Sequence, residues 1–178
     1  MFEKAIGYLV RRSGKEFTPK YKTIATILGA ILFIAGWPAL LYGVGLLFPG
    51  EVFPAASGKY VIAALSFAVG IPWMLWAIWW QLSRGKGTPV PIVPTQTFLP
   101  SGPYQYVRNP MIVGHLFYLL GWAALFNYMG GFWFVLFFAV IMVLEIKLIE
   151  EKELEQRFGG AYRQYKKMTP FVIPRFRQ

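Results

Sequence analysis

The sequence predicts an all-α fold: a polytopic membrane helical bundle of about four transmembrane helices with a cytoplasmic C-terminal helical extension. Three observations carry this expectation. The 178 residues are 56% hydrophobic and 19% aromatic but only 15% charged, too apolar and too poor in charge for an ordinary soluble domain. Four apolar runs, near residues 24–48, 60–82, 111–128 and 132–149, are each close to the roughly 20 helical residues that cross a hydrocarbon core. Lys and Arg, 18 in all, lie almost entirely outside those runs.

Residues 1–23 read as a polar, basic cytoplasmic segment carrying Lys4, Arg11, Arg12, Lys15, Lys20 and Lys22, with no cleavable signal pattern. The first run contains Gly36-Trp37-Pro38, where a missing amide and a ring clash predict a kink. Residues 24–82 thus supply the first two membrane helices. The loop at 83–110 contains Pro89, Pro91, Pro94, Pro100 and Pro103, which favour extended and turn conformations and predict an ordered, pocket-lining strap. Asn109-Pro110 reads as N-cap and first helical residue of run three. Residues 111–149 then form a tight hairpin, because only Asn127-Tyr128-Met129-Gly130-Gly131 separates the last two runs.

The tail, residues 150–178, is expected to continue the fourth helix through Phe158 and to stop at Gly159-Gly160 as a C-cap. An aromatic-basic stretch at 162–176 is expected to lie along the interface. Positive charge orients the bundle. Basic residues cluster before run one, between runs two and three (Arg84, Lys86, Arg108) and after Leu144, whereas the loop between runs one and two has only Glu51 and Lys59. Both termini and the central loop are therefore expected on the cytoplasmic side of an integral, multi-pass membrane protein.

Composition also restricts the chemistry. The chain has no Cys and one His, so no disulfide, thiolate site or His-rich metal cluster is available and no metal is expected. The net charge of +10 fits membrane lipids as partners; no nucleic-acid partner is expected, since no base-reading motif appears.

Two constellations stand out. A helix start at Asn109-Pro110 offers unpaired amides and a positive dipole end to a carboxylate or phosphate, and Arg108 adds a full charge; plain capping and a positive-inside Arg explain the same residues. Glu150 and Glu151 stand just past run four, with Glu145 nearer the hydrocarbon, where acids are uncommon without a partner. They suit an ammonium or ribose hydroxyls, or salt bridges in which Lys147 reaches Glu151 and Lys152 reaches Glu155. His115 faces either the same pocket or a neighbouring helix.

The ordered motifs G-T-P-V-P at 87–91, F-L-P-S-G-P-Y-Q-Y-V-R-N-P-M at 98–111, E-E-K-E-L-E-Q-R-F-G-G-A-Y-R-Q-Y at 150–165 and T-P-F-V-I-P at 169–174 resemble the integral-membrane methyltransferases of the isoprenylcysteine carboxyl methyltransferase and phospholipid N-methyltransferase superfamily. The resemblance covers about half of the chain. It implies a single membrane methyltransferase-like domain over residues 1–178, with a cytoplasmic pocket for S-adenosyl-L-methionine formed by Gly102, Pro103, Tyr104, Arg108, Asn109, Pro110, Glu150 and Glu151. Leu99, Tyr106 and His115 join this cofactor set, with Tyr104, Tyr106 or an aromatic residue of the tail against the adenine.

Two departures narrow what transfers. The usual Arg-His-Pro is Arg108-Asn109-Pro110 here, which keeps the cap and loses a titratable ring. Acidic residues that prenylcysteine enzymes often carry before the tyrosine are replaced by Gly160-Ala161. The resemblance implies methyl transfer to a lipophilic acceptor drawn from the bilayer, either isoprenylcysteine-carboxylate-like or phospholipid-amine-like. An amine or hydroxyl acceptor needs a proton acceptor, for which Glu145, Glu150 and His115 are the candidates, and Lys167 is the candidate cation for an acceptor carboxylate. The alternatives are an NADPH-dependent membrane reductase of the sterol-reductase type and a non-catalytic membrane scaffold.

Overall fold

The computed structural model describes residues 2–13, 17–85 and 95–173. Its helices are α1 (Phe2–Ser13), α2 (Pro19–Ile31), α3 (Trp37–Leu47), α4 (Ala56–Arg84), α5 (Pro110–Phe126), α6 (Met129–Glu145) and α7 (Glu151–Met168). One π-turn, Leu32–Gly36, joins α2 to α3, and a second, Ile146–Glu150, joins α6 to α7. No strand forms among the described residues beyond one isolated bridge between Glu51 and Tyr128. Lys15, Lys86, Pro89, Pro91 and Pro94, the G-T-P-V-P motif and residues 174–176 of the tail lie outside the described residues.

The all-α membrane architecture is as the sequence predicts. Three continuous helices are long and apolar enough to cross a membrane, Pro19–Leu47, Ser57–Arg84 and Met129–Met168, and the shorter apolar α5 has 17 residues. Within Met129–Met168 the apolar part is α6, whereas α7 is dense in Glu, Lys and Arg. α3 ends at Phe48, whose φ of −132° and ψ of 75° leave the helical region, as expected of a residue before Pro49.

The expected kink takes a specific form. Pro38 has no N–H to give to the carbonyl of Ile34 four residues earlier, and a π-turn occupies the positions just before it. The hydroxyl of Tyr118 donates to that Ile34 oxygen at 2.8 Å, so a hydrogen bond from another helix replaces the one proline removes.

The chain separates into two compact units. One comprises residues 30–75 and 111–142, and Glu51 and Lys59 are its only Lys, Arg, Asp or Glu. Its core is Leu41, Tyr118, Leu119, Ala123 and Phe138, flanked by Trp37, Phe67, Trp122 and Phe134. α4 and α5 approach closely there: a Cβ on Gly114 would stand 2.6 Å from the backbone nitrogen of Met74. The α5–α6 link is shorter than expected, only Asn127 and Tyr128, because Asn127 adopts a φ of 58° and reverses the chain at once. Its buried side chain accepts from the amides of Val52 (3.3 Å) and Phe53 (2.9 Å) and donates to the Phe53 carbonyl (3.0 Å).

The other unit comprises residues 1–29, 76–110 and 143–178. Its first helix was not foreseen in the basic N-terminal segment. In α1 the apolar residues Ile6, Leu9 and Val10 follow helical spacing, Glu3 lies in the first turn, where the helix dipole favours an acid, and Ile6 is buried. α1 packs against α7 and the second π-turn. The predicted stop at Gly159-Gly160 is a break rather than an end. Gly159 takes φ 54° and ψ −125°, and helix resumes to Met168, so 162–168 of the aromatic-basic stretch is helical.

Candidate functional site

The charged unit brings the central loop and α7 together. The loop is tied to the end of α4 by backbone bonds from Gln96 (2.8 Å) and Thr97 (3.3 Å) to the carbonyl of Gly85. Arg157 pairs with Glu153 at 2.7 Å and donates to the Thr95 carbonyl. Phe98 then inserts its ring among Phe158 (5.4 Å), Tyr162 (6.1 Å) and Tyr165 (5.3 Å), residues on both sides of the Gly159 break. Leu99 lies beside Gly85.

Next comes a single 3-10 turn, Gly102–Gln105. Gly102 has φ +63°, and a Cβ there would fall 2.4 Å from the indole ring of Trp80, so sterics permit only glycine. The Arg84 guanidinium covers the same indole at 3.9 Å. Pro103 is fully buried. Tyr104 donates to Gln81 Oε1 at 3.2 Å, and its carbonyl accepts from the Tyr165 hydroxyl at 2.7 Å. Burial, and then the charge of Glu150, raises the Tyr104 phenol above its ordinary range, so it stays protonated and donates. Tyr106 lies 6.0 Å from Trp76, ring to ring.

Arg108 is the most heavily bonded side chain of the loop. Its Nε (3.0 Å) and Nη2 (2.7 Å) both donate to Glu151 Oε1, while Nη1 donates to the carbonyls of Lys166 (2.9 Å) and Thr169 (2.7 Å). Its backbone amide donates to Pro170. Lys166 Nζ takes the other Glu151 oxygen at 2.7 Å and also holds Glu155 at 2.9 Å. Asn109 Nδ2 reaches the Phe171 carbonyl at 3.5 Å, and the fully buried Pro110 opens α5.

The tandem acids therefore diverge. Glu151 is buried and ion-paired on both oxygens. Glu150 is exposed and has no hydrogen-bond or ion-pair partner among the described residues. Its carboxyl is pushed up to about 8, by desolvation first and then by the charges of Glu145, Glu153 and Glu151. The π-turn explains the pattern, because its wider winding changes the α-helical register across 146–150. It leaves Lys147 over the ring of Phe171 at 5.2 Å rather than paired with Glu151, so the salt bridge spaced for an ordinary helix does not form. Glu145 also has no ion-pair partner among the described residues.

Of the remaining sequence candidates, Lys167 is exposed, and the neighbouring Lys166 makes the ion pairs. His115 belongs to the apolar unit. It is 1% exposed, packed on Phe33 (4.8 Å), Phe138 (5.6 Å) and Tyr118 (5.9 Å), and neither ring nitrogen is hydrogen-bonded. Sequence reasoning gave no role to Arg157, Lys166 or Thr169. Nothing in the pattern separates Lys166 from Lys167, and Thr169 acts through its backbone oxygen.

The family model of the phospholipid methyltransferases matches residues 59–161, a stretch that holds the Gly102–Gln105 turn, Arg108, Glu150 and Glu151. No curated protein and no solved structure matches the chain. Three apolar helices of membrane-spanning length and a family match over more than half of the residues lead to one conclusion: the chain is an integral membrane protein and belongs to the phospholipid methyltransferase family.

Proposed function

We propose that the protein transfers a methyl group from S-adenosyl-L-methionine to a lipophilic acceptor, in the charged unit built from the central loop and α7. The observation that carries this reading is the division of labour between the tandem acids: Arg108 and Lys166 occupy Glu151, while Glu150 is left without a partner beside a protonated Tyr104. When bound, the cofactor supplies a methyl group on a positively charged sulfur. The residues fit such a molecule. Glu150 is an uncompensated carboxylate for an ammonium or ribose hydroxyls, and Tyr104, with Phe98 nearby on the same loop, offers aromatic surface to a nucleobase.

The protein's own part in the reaction is alignment and exclusion of water. Arg108 fixes the loop to α7 through Glu151 and two carbonyls. Pro103 and Tyr165 are buried and keep that junction dry. The acceptor is of the phospholipid-amine or isoprenylcysteine-carboxylate kind. Glu145, at the end of apolar α6, accepts the proton an amine must lose; Lys167 pairs with a carboxylate, which has no proton to lose. The Lys and Arg asymmetry supports a cytoplasmic location for both termini and the loop at 83–110.

Titration of the purified, detergent-solubilised protein with S-adenosylhomocysteine and with NADPH, followed by Trp fluorescence and calorimetry, tests the reading. Saturable binding of the S-adenosyl compound alone is expected. Binding of NADPH alone would move the protein to the reductase class, and binding of neither by folded protein would leave a scaffold.

A further inference from the structure

Three cations of the charged unit, Arg108, Arg157 and Lys166, are held by carboxylates. Arg84 is held in another way. Its guanidinium lies over the Trp80 indole, 3.9 Å from the ring centroid, and has no ion-pair or hydrogen-bond partner among the described residues. The residue is exposed, so its N–H donors face whatever lies beside the end of α4.

The platform under this guanidinium is itself fixed. The backbone at Gly102 presses on the indole so closely that a Cβ there would fall 2.4 Å from the ring. Tyr104, in the same turn, donates at 3.2 Å to Gln81, the next residue of α4. The indole Nε1 is buried without a hydrogen-bond acceptor among the described residues, which is unfavourable, so the surface of the ring is what this tryptophan contributes. A guanidinium stacked on a fixed ring keeps its planar fork oriented while its donors stay uncommitted.

Depth in the membrane identifies the anion. Arg84 closes a membrane-spanning helix, and Trp79 and Trp80 stand just before it, ring to ring at 5.9 Å. Tryptophan at the end of such a helix sits at the headgroup level, where lipid phosphates lie, and two oxygens of a phosphate match the guanidinium fork through parallel hydrogen bonds. We propose that Arg84, oriented on Trp80, binds the phosphate of a phospholipid headgroup at the end of α4. Because the Gly102–Gln105 turn touches the same indole, the headgroup is held against the turn assigned to the cofactor. That this lipid is the methyl acceptor rests on the function proposed above; the binding itself does not.

The test follows the melting temperature of the detergent-solubilised protein while dioleoylphosphatidylethanolamine is added at fixed detergent. A saturable rise is expected, and dioleoylglycerol, which has the same chains and no phosphate, should not reproduce it. Arg84→Gln is expected to need about tenfold more lipid for half of the rise, the weight of one hydrogen bond to a charged group. Arg84→Lys should lose nearly as much, since an ammonium cannot reproduce the fork on the ring. Both variants should melt like the wild type without lipid, because the side chain is exposed and unpaired. Wild-type lipid dependence in Arg84→Gln would overturn the assignment, and in Arg84→Lys it would reduce the site to diffuse positive charge and overturn it as well. An equal rise with dioleoylglycerol would show that only the chains are recognised, with the same consequence. S-adenosylhomocysteine affinity should be unchanged in Arg84→Gln; a fall would give the guanidinium to the carboxylate of that compound and overturn the lipid assignment. If the wild-type protein showed the lipid dependence but failed to bind S-adenosylhomocysteine, the proposed function would fall and this site would stand.

Discussion

Arg108 and Glu151, 43 residues apart in sequence, are joined at 2.7 Å with side chains only 11% and 5% exposed. The pair ties the loop before α5 to the first residue of α7. It is structural, since Arg108 spends its other donors on two carbonyls. Removing one partner of a buried pair leaves an uncompensated charge and costs about 3 kcal/mol or more. Arg108→Ala is therefore expected to lower the melting temperature by several degrees. Arg108→Lys should recover little, because an ammonium cannot reproduce the fork. Replacing both residues, as Arg108→Met with Glu151→Leu, should be less damaging than Arg108→Ala alone. If the double variant melted lower than the single one, the buried-charge account would be wrong.

Glu150 should behave in the opposite way. Its folded carboxyl is pushed up to about 8 from 4.5, so between those values the folded state holds more protons than the unfolded one. Stability contributed by this group is then present below pH 4.5 and lost as pH rises toward 8. Binding of a ligand ammonium needs the ionised form, so affinity for S-adenosylhomocysteine is expected to increase as pH rises through about 8. Glu150→Gln should abolish that pH dependence, weaken binding at pH 8.5 and leave the melting temperature at pH 8.5 unchanged or higher. A pH profile that survives in Glu150→Gln would assign the titration to another group.

The opposed roles of the two acids show where sequence reasoning stops. Apolar runs fix the membrane helices because burial in lipid demands continuous hydrophobic length, and Pro38 announces its own distortion. Glu150 and Glu151, by contrast, are chemically identical neighbours. What separates them is a π-turn of ordinary residues, Ile146–Glu150, which has no side-chain signature and which defeats the four-residue spacing between Lys147 and Glu151. Arg108 reads as a positive-inside charge because its partners lie 43 to 61 residues away and two of them are backbone oxygens. The α1 helix was missed because its basic residues dominated a segment whose apolar spacing was also helical.

Two glycines with positive φ should respond differently to alanine. At Gly102, φ +63° combines with a Cβ position 2.4 Å from the Trp80 ring, so Gly102→Ala adds a steric clash to a backbone penalty of about 1 kcal/mol. At Gly159 no atom lies within 4 Å, and only the backbone penalty remains. Gly102→Ala is expected to destabilise the protein by about 3 kcal/mol and Gly159→Ala by less, through backbone strain alone. Thermal melts of the two variants in the same detergent give the comparison, and equal losses would contradict the geometry.

Asn127 provides a test far from the charged chemistry. It is the only non-glycine with positive φ among the described residues, and its amide makes three hydrogen bonds to Val52 and Phe53. Conformation and hydrogen bonding can be separated there. Asn127→Gly keeps the left-handed turn at no steric cost but abandons two backbone amides and a carbonyl in a part-buried link, which should cost about 2 kcal/mol. Asn127→Asp preserves the acceptor toward the Val52 and Phe53 amides and turns the third contact into a repulsion with the Phe53 carbonyl. Asn127→Ala loses the bonds and strains the turn as well, so it should be the least stable of the three. The expected order of melting temperature is wild type, then Asn127→Asp, Asn127→Gly and Asn127→Ala. S-adenosylhomocysteine affinity of the folded protein should be unchanged throughout, because the site proposed for it is built around Glu150, not around this link. Weakened binding in a variant that still melts cooperatively would mean that the α5–α6 link contributes to the site.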